Sequence, residues 1–415
     1  MWRTHVLDGP QVEIDQLFGK NQFTFGQLTI LSVLMAFASI STDLYLPALP
    51  MMAQSFHVSA GMMELTVSGY LIGFSLGQLF WGPFSDRYGR RLPIAIGLVL
   101  FLIGSLGSAL AASAGSIIFW RVVQALGACA SVVLARAMVR DVYEGPNAAR
   151  MMSTLITAMA VAPMLGPSLG ALILRLGSWR WIFWFLVCVG ILTLISLMLL
   201  PETLPKERRN ILAMKRALQG YISIIRHRHL LGYAGAGAFF YGGVFASISG
   251  TPFAYISYYG VTPQMYGLLF ALGIIGLMFV NQINRILVVK VHHDRILQVG
   301  VIVAAVATMM LAFDARTDWG GLLGLVIPIF FFVSANGFIV ANSMVGALGL
   351  FPESAGAASA VIGALQYGFG VLGSTLVAVF ADGTPWPMGA VMAIFGLGSL
   401  LCFYFILPTC AHRSP

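Results

Sequence analysis

Twelve runs of about twenty mostly apolar residues, separated by polar or glycine- and proline-marked breaks, decide what this chain can fold into. A bilayer core about 30 Å thick is crossed by roughly 20 residues of helix rising ~1.5 Å each. Hydrocarbon offers no partner for backbone N–H and C=O groups, so a spanning segment must satisfy them itself. The runs fall near residues 25–48, 61–82, 92–112, 115–138, 148–175, 179–200, 230–258, 264–288, 296–313, 320–344, 355–381 and 386–407. The fold class read from them is an all-α polytopic membrane protein with twelve transmembrane helices.

Composition excludes the soluble alternative: 59% of the 415 residues are hydrophobic and 9% charged, where soluble domains carry about 25% charge. Glycine supplies 46 of 415 residues, about 11% against a usual ~7%, which suits closely packed membrane helices. The net charge of +8 does not read as nucleic-acid binding, because the cations stand singly or in short groups between apolar runs. They read as topology signals. Arg3, Lys20, Arg87, Arg90, Arg91, Arg140, Arg150, Arg285, Lys290, Arg295, Arg413 and the 201–229 segment fall on one side, and only Arg175, Arg180 and Arg316 on the other. This is the positive-inside pattern.

Met1 to Gln22 contain no apolar core of the length a cleavable signal needs, so both termini are expected in the cytoplasm. The expected organisation is a cytoplasmic segment (1–24), a six-helix bundle (25–200), a basic linker (201–229), a second six-helix bundle (230–407) and a cytoplasmic tail (408–415). The linker reads as a solvated connector, with acidic lipid headgroups as the alternative partner. Cys129, Cys188, Cys402 and Cys410 lack metal or disulfide spacing and read as small buried hydrophobes.

Ionisable groups inside a span cost several kcal/mol unless paired or facing water, so each is a functional candidate. These are Asp43 in span 1, Glu64 near the start of span 2, and Arg121 and Arg136 in span 4; the second half has none deep in a span. A rise of ~1.5 Å per residue puts Asp43 and Arg121 at matching depth, roughly 7–9 Å below the outer boundary. Glu64 lies roughly 5 Å deep and joins them only if its face points inward. A cavity carboxylate beside an arginine suits proton coupling, because its proton affinity changes with its neighbours. The bland reading of Asp43 is a helix-end residue before Leu46-Pro47. Arg136, roughly 22 Å further along span 4, reads as structural or gating.

Tyr45, Tyr70, Asn336, Asn342, Gln366 and Tyr367 are in-span polar or aromatic positions that line a cavity or bond between helices. Gly69, Gly73 and Gly77 form a stripe for close helix crossing. Between spans 2 and 3, Asp86, Arg87, Gly89, Arg90 and Arg91 make a charged turn, with Asp86 placed to meet helix N-terminal amides or a cation. Arg140-Asp141 ends span 4 on the same side, so Arg90 with Asp141 and Asp86 with Arg140 are the expected gating pairs, plain orientation signalling being the alternative. Pro163, Gly166, Pro167 and Gly170 in span 5, and Gly250-Thr251-Pro252 in span 7, are expected to bend their helices.

At this point the chain resembles a known family. Gly82 to Arg91 looks like the loop signature of the major facilitator superfamily, and Arg121-Val-Val-Gln124 with Gly127 is similar to its span 4 signature. Gly166-Pro167 is similar to the span 5 antiporter signature. Thr42-Asp43-Leu-Tyr-Leu-Pro-Ala-Leu-Pro50, Arg140-Asp141-Val-Tyr143 and Pro201-Glu-Thr-Leu204 resemble the bicyclomycin-resistance type of drug:proton antiporter, over about residues 28–407. The resemblance implies two pseudo-symmetric six-helix bundles working by alternating access. It puts the family's span 1 acid on Asp43 and its span 4 arginine on Arg121. Ala171 and Ala125 stand where glycines are usual. Met35 and Ala36 stand where some relatives carry a second span 1 acid, which points to neutral or zwitterionic rather than multiply cationic substrates.

The function expected is proton-driven export of drugs or small amphipathic metabolites from the bacterial cytoplasm by a monomer, with the proton as coupling ion and no other cofactor. Import of a nutrient by proton symport is the alternative, and a receptor or scaffold without transport a third reading. Neither a nucleotide loop nor metal-ligand spacing appears, and His292-His293 reads as a solvated cytoplasmic pair. The chain is read as not an enzyme.

Overall fold

The structure, a computed structural model, describes residues 23–143, 145–209, 220–351 and 354–406. Most of the N-terminal segment, the middle of the linker, and the tail with Cys410 lie outside the described residues. Inner and outer ends are named after the orientation that the charge asymmetry predicts.

Eleven helices are long and apolar enough to cross a membrane: α1 (Phe25–Phe56), α3 (Arg91–Ala109), α4 (Ala114–Val142), α5 (Gly145–Ile173), α6 (Arg180–Leu199), α7 (Arg228–Tyr258), α8 (Pro263–Leu287), α9 (His293–Thr317), α10 (Gly321–Gly349), α11 (Ala355–Val379) and α12 (Trp386–Tyr404). The twelfth, α2 (Ala60–Tyr88), has ample length at 29 residues. Its mean hydropathy is low because it carries Glu64, Thr66, Ser68 and Gln78, all four of them buried against other helices.

The two halves repeat one packing scheme. In the first, α1 packs on α4 and α5, α2 on α4, and α3 on α4 and α6. Adding six to each label gives the second: α7 on α10 and α11, α8 on α10, and α9 on α10 and α12. The halves meet through α2 against α11 and α5 against α8, a pair of contacts that the same shift exchanges. These are the pseudo-symmetric six-helix bundles that the resemblance implies.

Helix ends follow local chemistry. Thr24 opens α1 with a capping box, its hydroxyl accepting from the Gln27 N–H while Gln27 accepts from the Thr24 N–H. Regular α-helix stops at Asp43, because Pro47 lies four residues on and its ring would strike the Asp43 carbonyl. A 3₁₀ turn (Leu46–Ala48) and a second helix (Leu49–Phe56) carry the chain on, past the boundary expected at 48. In α5 the helix runs through Pro163 and Pro167. In α7 Pro252 ends the α-helix and a π turn (Phe253–Tyr258) follows. The glycine stripe of α2 does pack: a Cβ on Gly69 would meet Ile118, and one on Gly77 would meet Cys129 of α4 at 2.7 Å.

One expectation needs correction: Cys188 is exposed on the bundle surface, while Cys129 and Cys402 are buried. In the second half α9 runs past its expected end at 313, and the buried Asp314 in its last turn accepts the Gly320 N–H at 2.6 Å in the turn to α10.

Candidate functional site: an arginine at a broken helix

Because α1 breaks after Asp43, its last carbonyls lose their helix partners. Arg121 of α4 fills that place. Its Nη1 donates to the Ser41 carbonyl at 2.9 Å and to Gln124 Oε1, and Gln124 Nε2 donates to Ser105 of α3 at 2.7 Å. The guanidinium carbon sits 4.1 Å from the Tyr45 ring centroid and 4.3 Å from that of Tyr70. Tyr45 in turn meets Thr66 at 3.0 Å, and the Tyr70 hydroxyl meets Ser41 and the Ala38 carbonyl. Tyr45 and Tyr70 are therefore clamps on Arg121 and not open cavity walls, since both are fully buried.

The structure brings Asp43 and Arg121 together without joining them. Asp43 is 5% exposed and makes no hydrogen bond or ion pair among the described residues. Arg121 is 0% exposed, and its Nε and Nη2 have no acceptor. The arginine charge still acts on the Asp43 carboxylate. Gly166 of α5 lies against Asp43, where a Cβ would come within 3.1 Å of its side chain, and Gly170 lies against the Leu44 carbonyl. The two glycines thus let α5 close over the break in α1.

Glu64 does not join this group. It is 3% exposed, its Oε2 has no partner, and it lines an outer-end cavity of about 540 Å³ between the halves, with Pro50, His57, Phe253 and Met388. Its face of α2 turns toward α7, α11 and α12. Asn336 lines a cavity of about 100 Å³ among α7, α8 and α10. Gln366 is buried in α11 with an unpartnered Nε2, and Asn342 donates to Asn284 of α8 at 2.8 Å. Tyr367 packs its ring 4.4 Å from that of Phe74 across the join between the halves.

At the inner end Arg90 and Asp141 pair as expected, Nε to Oδ2 at 2.8 Å. The expected Asp86–Arg140 pair does not form: Asp86 pairs with Arg90 at 2.8 Å, one helical turn along, while Arg140 turns into a cavity. Asp86 also does not meet the helix amides. Glu202 takes them, accepting from the Arg90 N–H at 2.8 Å and the Arg91 N–H at 3.2 Å, and Thr203 donates to Asp141 at 2.9 Å. Arg87 is exposed over Tyr88. Gly89 (φ +92°) is wedged between Glu202 and Arg209, where a Cβ would lie 2.6 Å from both side chains. Burial would loosen the proton on Arg90, but Asp141 and Asp86 outweigh it and hold the guanidinium more firmly charged than usual. All these groups belong to the first bundle and its exit, so they clasp that bundle rather than join the two. Glu202 and Thr203 escaped the residue-level reading because they lie in a polar stretch; their only signal was the Pro201–Leu204 likeness.

A model of the Major Facilitator Superfamily matches residues 31–374. The chain is 35% identical over 92% of its length to a Bacillus subtilis protein called an uncharacterized MFS-type transporter, YdgK, covering 94% of that protein. It is 30% identical, over 92% of its length, to the bicyclomycin resistance protein homolog of Haemophilus influenzae, covering 96% of it, and 29% identical over 95% to multidrug resistance protein D of Escherichia coli, covering 99%. Among solved structures, a D-xylose-proton symporter superposes with a TM-score of 0.74 over 93% of this chain and 98% of that one, at 18% identity, which speaks to the fold. The family consists of transporters and not enzymes. The chain belongs to the major facilitator superfamily of multi-pass membrane transporters, in its bicyclomycin-resistance type.

Proposed function

We propose that this transporter is a proton-coupled exporter of drugs or small amphipathic metabolites, with Asp43 as the coupling carboxylate and Arg121 as its switch partner. The observation that carries the reading is the buried Arg121 with two unpartnered donor nitrogens, Nε and Nη2, beside a buried Asp43 that bonds to nothing among the described residues. A buried carboxyl without a partner costs least when neutral. Losing its proton would draw it to the free donors of Arg121 and pull on the broken segment of α1. Substrate and proton then compete for one element, which is what antiport requires. The names of the bicyclomycin-resistance and multidrug-resistance relatives support a drug or drug-like cargo. The protein works in this reading as a monomer in the bacterial cytoplasmic membrane, both termini inside, with no cofactor beyond the proton; Asp86–Arg91, Arg140, Asp141 and the Pro163–Pro167 segment serve the conformational change.

The test is proton movement in vesicles holding the purified protein, on addition of a panel of neutral and zwitterionic antibiotics. Antiport predicts substrate-triggered proton flux opposite in direction to the substrate, abolished in Asp43→Asn. Flux in the same direction as substrate would establish symport instead, and flux that survives Asp43→Asn would move the coupling site elsewhere.

A further inference from the structure

Arg136 is the in-span cation that neither the Asp43–Arg121 group nor the Arg90 clasp uses. It lies in α4, six residues before the last residue, Val142, and so roughly 9 Å inside the inner end of the helix. Orientation of the chain does not need a charge at that depth. Half-buried, it makes no hydrogen bond or ion pair among the described residues, and it lines an inner cavity of about 610 Å³ between the two halves. Arg140, one turn closer to the inner end on the same helix face, lines that cavity too and is likewise unpaired. Like charges four residues apart on a helix repel, so nothing in α4 itself favours the arrangement.

Asp86 and Asp141 both pair with Arg90 and form no ion pair with Arg136 or Arg140; three arginines stand against these two carboxylates, and both acids act on Arg140 only from a distance. Deeper in, the Arg136 charge acts on the phenols of Tyr241 and Tyr367, two half-buried rings whose centroids are 5.9 Å apart. Tyr367 also meets Phe74. On the opposite wall stand small residues, Gly356, Ala357, Ser359 and Ala360.

We propose that Arg136 is the anion-recognising residue of the inward-facing substrate pocket, and that the cargo is a soluble amphipathic molecule bearing a carboxylate, its flat apolar body directed toward the Tyr241–Tyr367–Phe74 cluster. The guanidinium offers a planar fork to two carboxylate oxygens. Arg140, nearer water, draws the anion in and contributes less to holding it. This rests on the transporter reading but not on Asp43 being the proton site.

Equilibrium dialysis of the purified protein in nanodiscs of zwitterionic lipid, with labelled naphthoate and naphthamide, separates charge from shape without any proton gradient. Saturable naphthoate binding roughly tenfold or more tighter than naphthamide is expected, since a hydrogen bond to a charged group is worth about 1.5–3 kcal/mol. Arg136→Gln removes the preference, Arg136→Lys keeps a weakened one, and Arg140→Gln lowers it severalfold at most. Dialysis reads binding without coupled flux, so failure of proton-coupled export and failure of this site read out separately. Absent naphthoate binding, equal binding of the amide, or a preference that survives Arg136→Gln with Arg136→Lys no different overturns the assignment.

Discussion

Arg121 is held by shape as much as by charge. One nitrogen serves the Ser41 carbonyl and Gln124, while the flat guanidinium lies against two tyrosine rings. A lysine carries the same charge without the plane or the fork. Arg121→Lys is therefore expected to lower substrate-triggered flux by roughly tenfold or more, the loss of a desolvated cation–π contact alone being worth about 2 kcal/mol. Tyr45→Phe keeps the ring and gives up only the bond to Thr66, so it should retain most of the flux, whereas Tyr45→Leu should behave like the lysine variant. A lysine variant with normal flux would show that charge at this point is sufficient. Much of this site was legible in the sequence: Asp43 and Arg121 stand out as in-span charges, and helix rise alone puts them at one depth. The roles of Tyr45 and Tyr70 were not, because they depend on which way a ring turns once α1 has broken. Whether Glu64 is a neighbour stayed open for the same reason: depth is a one-dimensional quantity, and its helix face is set by the packing of α2 against α11.

At the scale of elements, span positions follow from apolar length, and all twelve helices lie where the runs place them. The exception in hydropathy, α2, meets α4 through its glycine stripe and α11 through Ser68, Ser75 and Gln78, which is a consequence of its place at the join. What sequence does not disclose is how closely elements approach. Gly170 lies where any side chain would strike the Leu44 carbonyl, so Gly170→Val should push α5 off the break in α1 and cost about 1–3 kcal/mol. Gly26→Val, at an open position, is the matched control. Thermal unfolding in detergent should show a lower midpoint for the first variant only. The inner clasp gives a second prediction at this scale. Asp141 accepts from Arg90 twice and from Thr203, and Asp141→Asn should cost about 3 kcal/mol by leaving the half-paired Arg90 behind. The swapped pair Arg90→Asp with Asp141→Arg should not restore stability, because position 90 would then face Asp86 and lose the Ser85 contact. Full rescue by the swap would mean that the two residues act as an isolated pair.

For the whole molecule, alternating access requires the joins between the halves to open at one end while they hold at the other. In this structure α2 and α11 touch near the outer end through Ser68 and Ser374, whose hydroxyl oxygens are 2.8 Å apart, and α5 meets α8 through Ser168 against Gly267 and Gln264 against the Ala171 carbonyl. Nearer the inner end Ser75 reaches the Ala364 carbonyl, beside the space that holds Arg136. If the outer contact must part in each cycle, a covalent bond across it stops transport without touching either proposed binding site. Ser68→Cys with Ser374→Cys, made with Cys188 replaced by serine to remove the exposed thiol, is expected to cross-link under mild oxidant and to lose flux as the cross-link forms. Reduction should restore flux. Each single cysteine variant should be indifferent to oxidant, and naphthoate should still bind the cross-linked protein if its pocket is open on the inner side. Flux that continues through a fully cross-linked pair would mean that this end of α2 and α11 moves as one body, and the opening would then have to be sought at the join of α5 with α8.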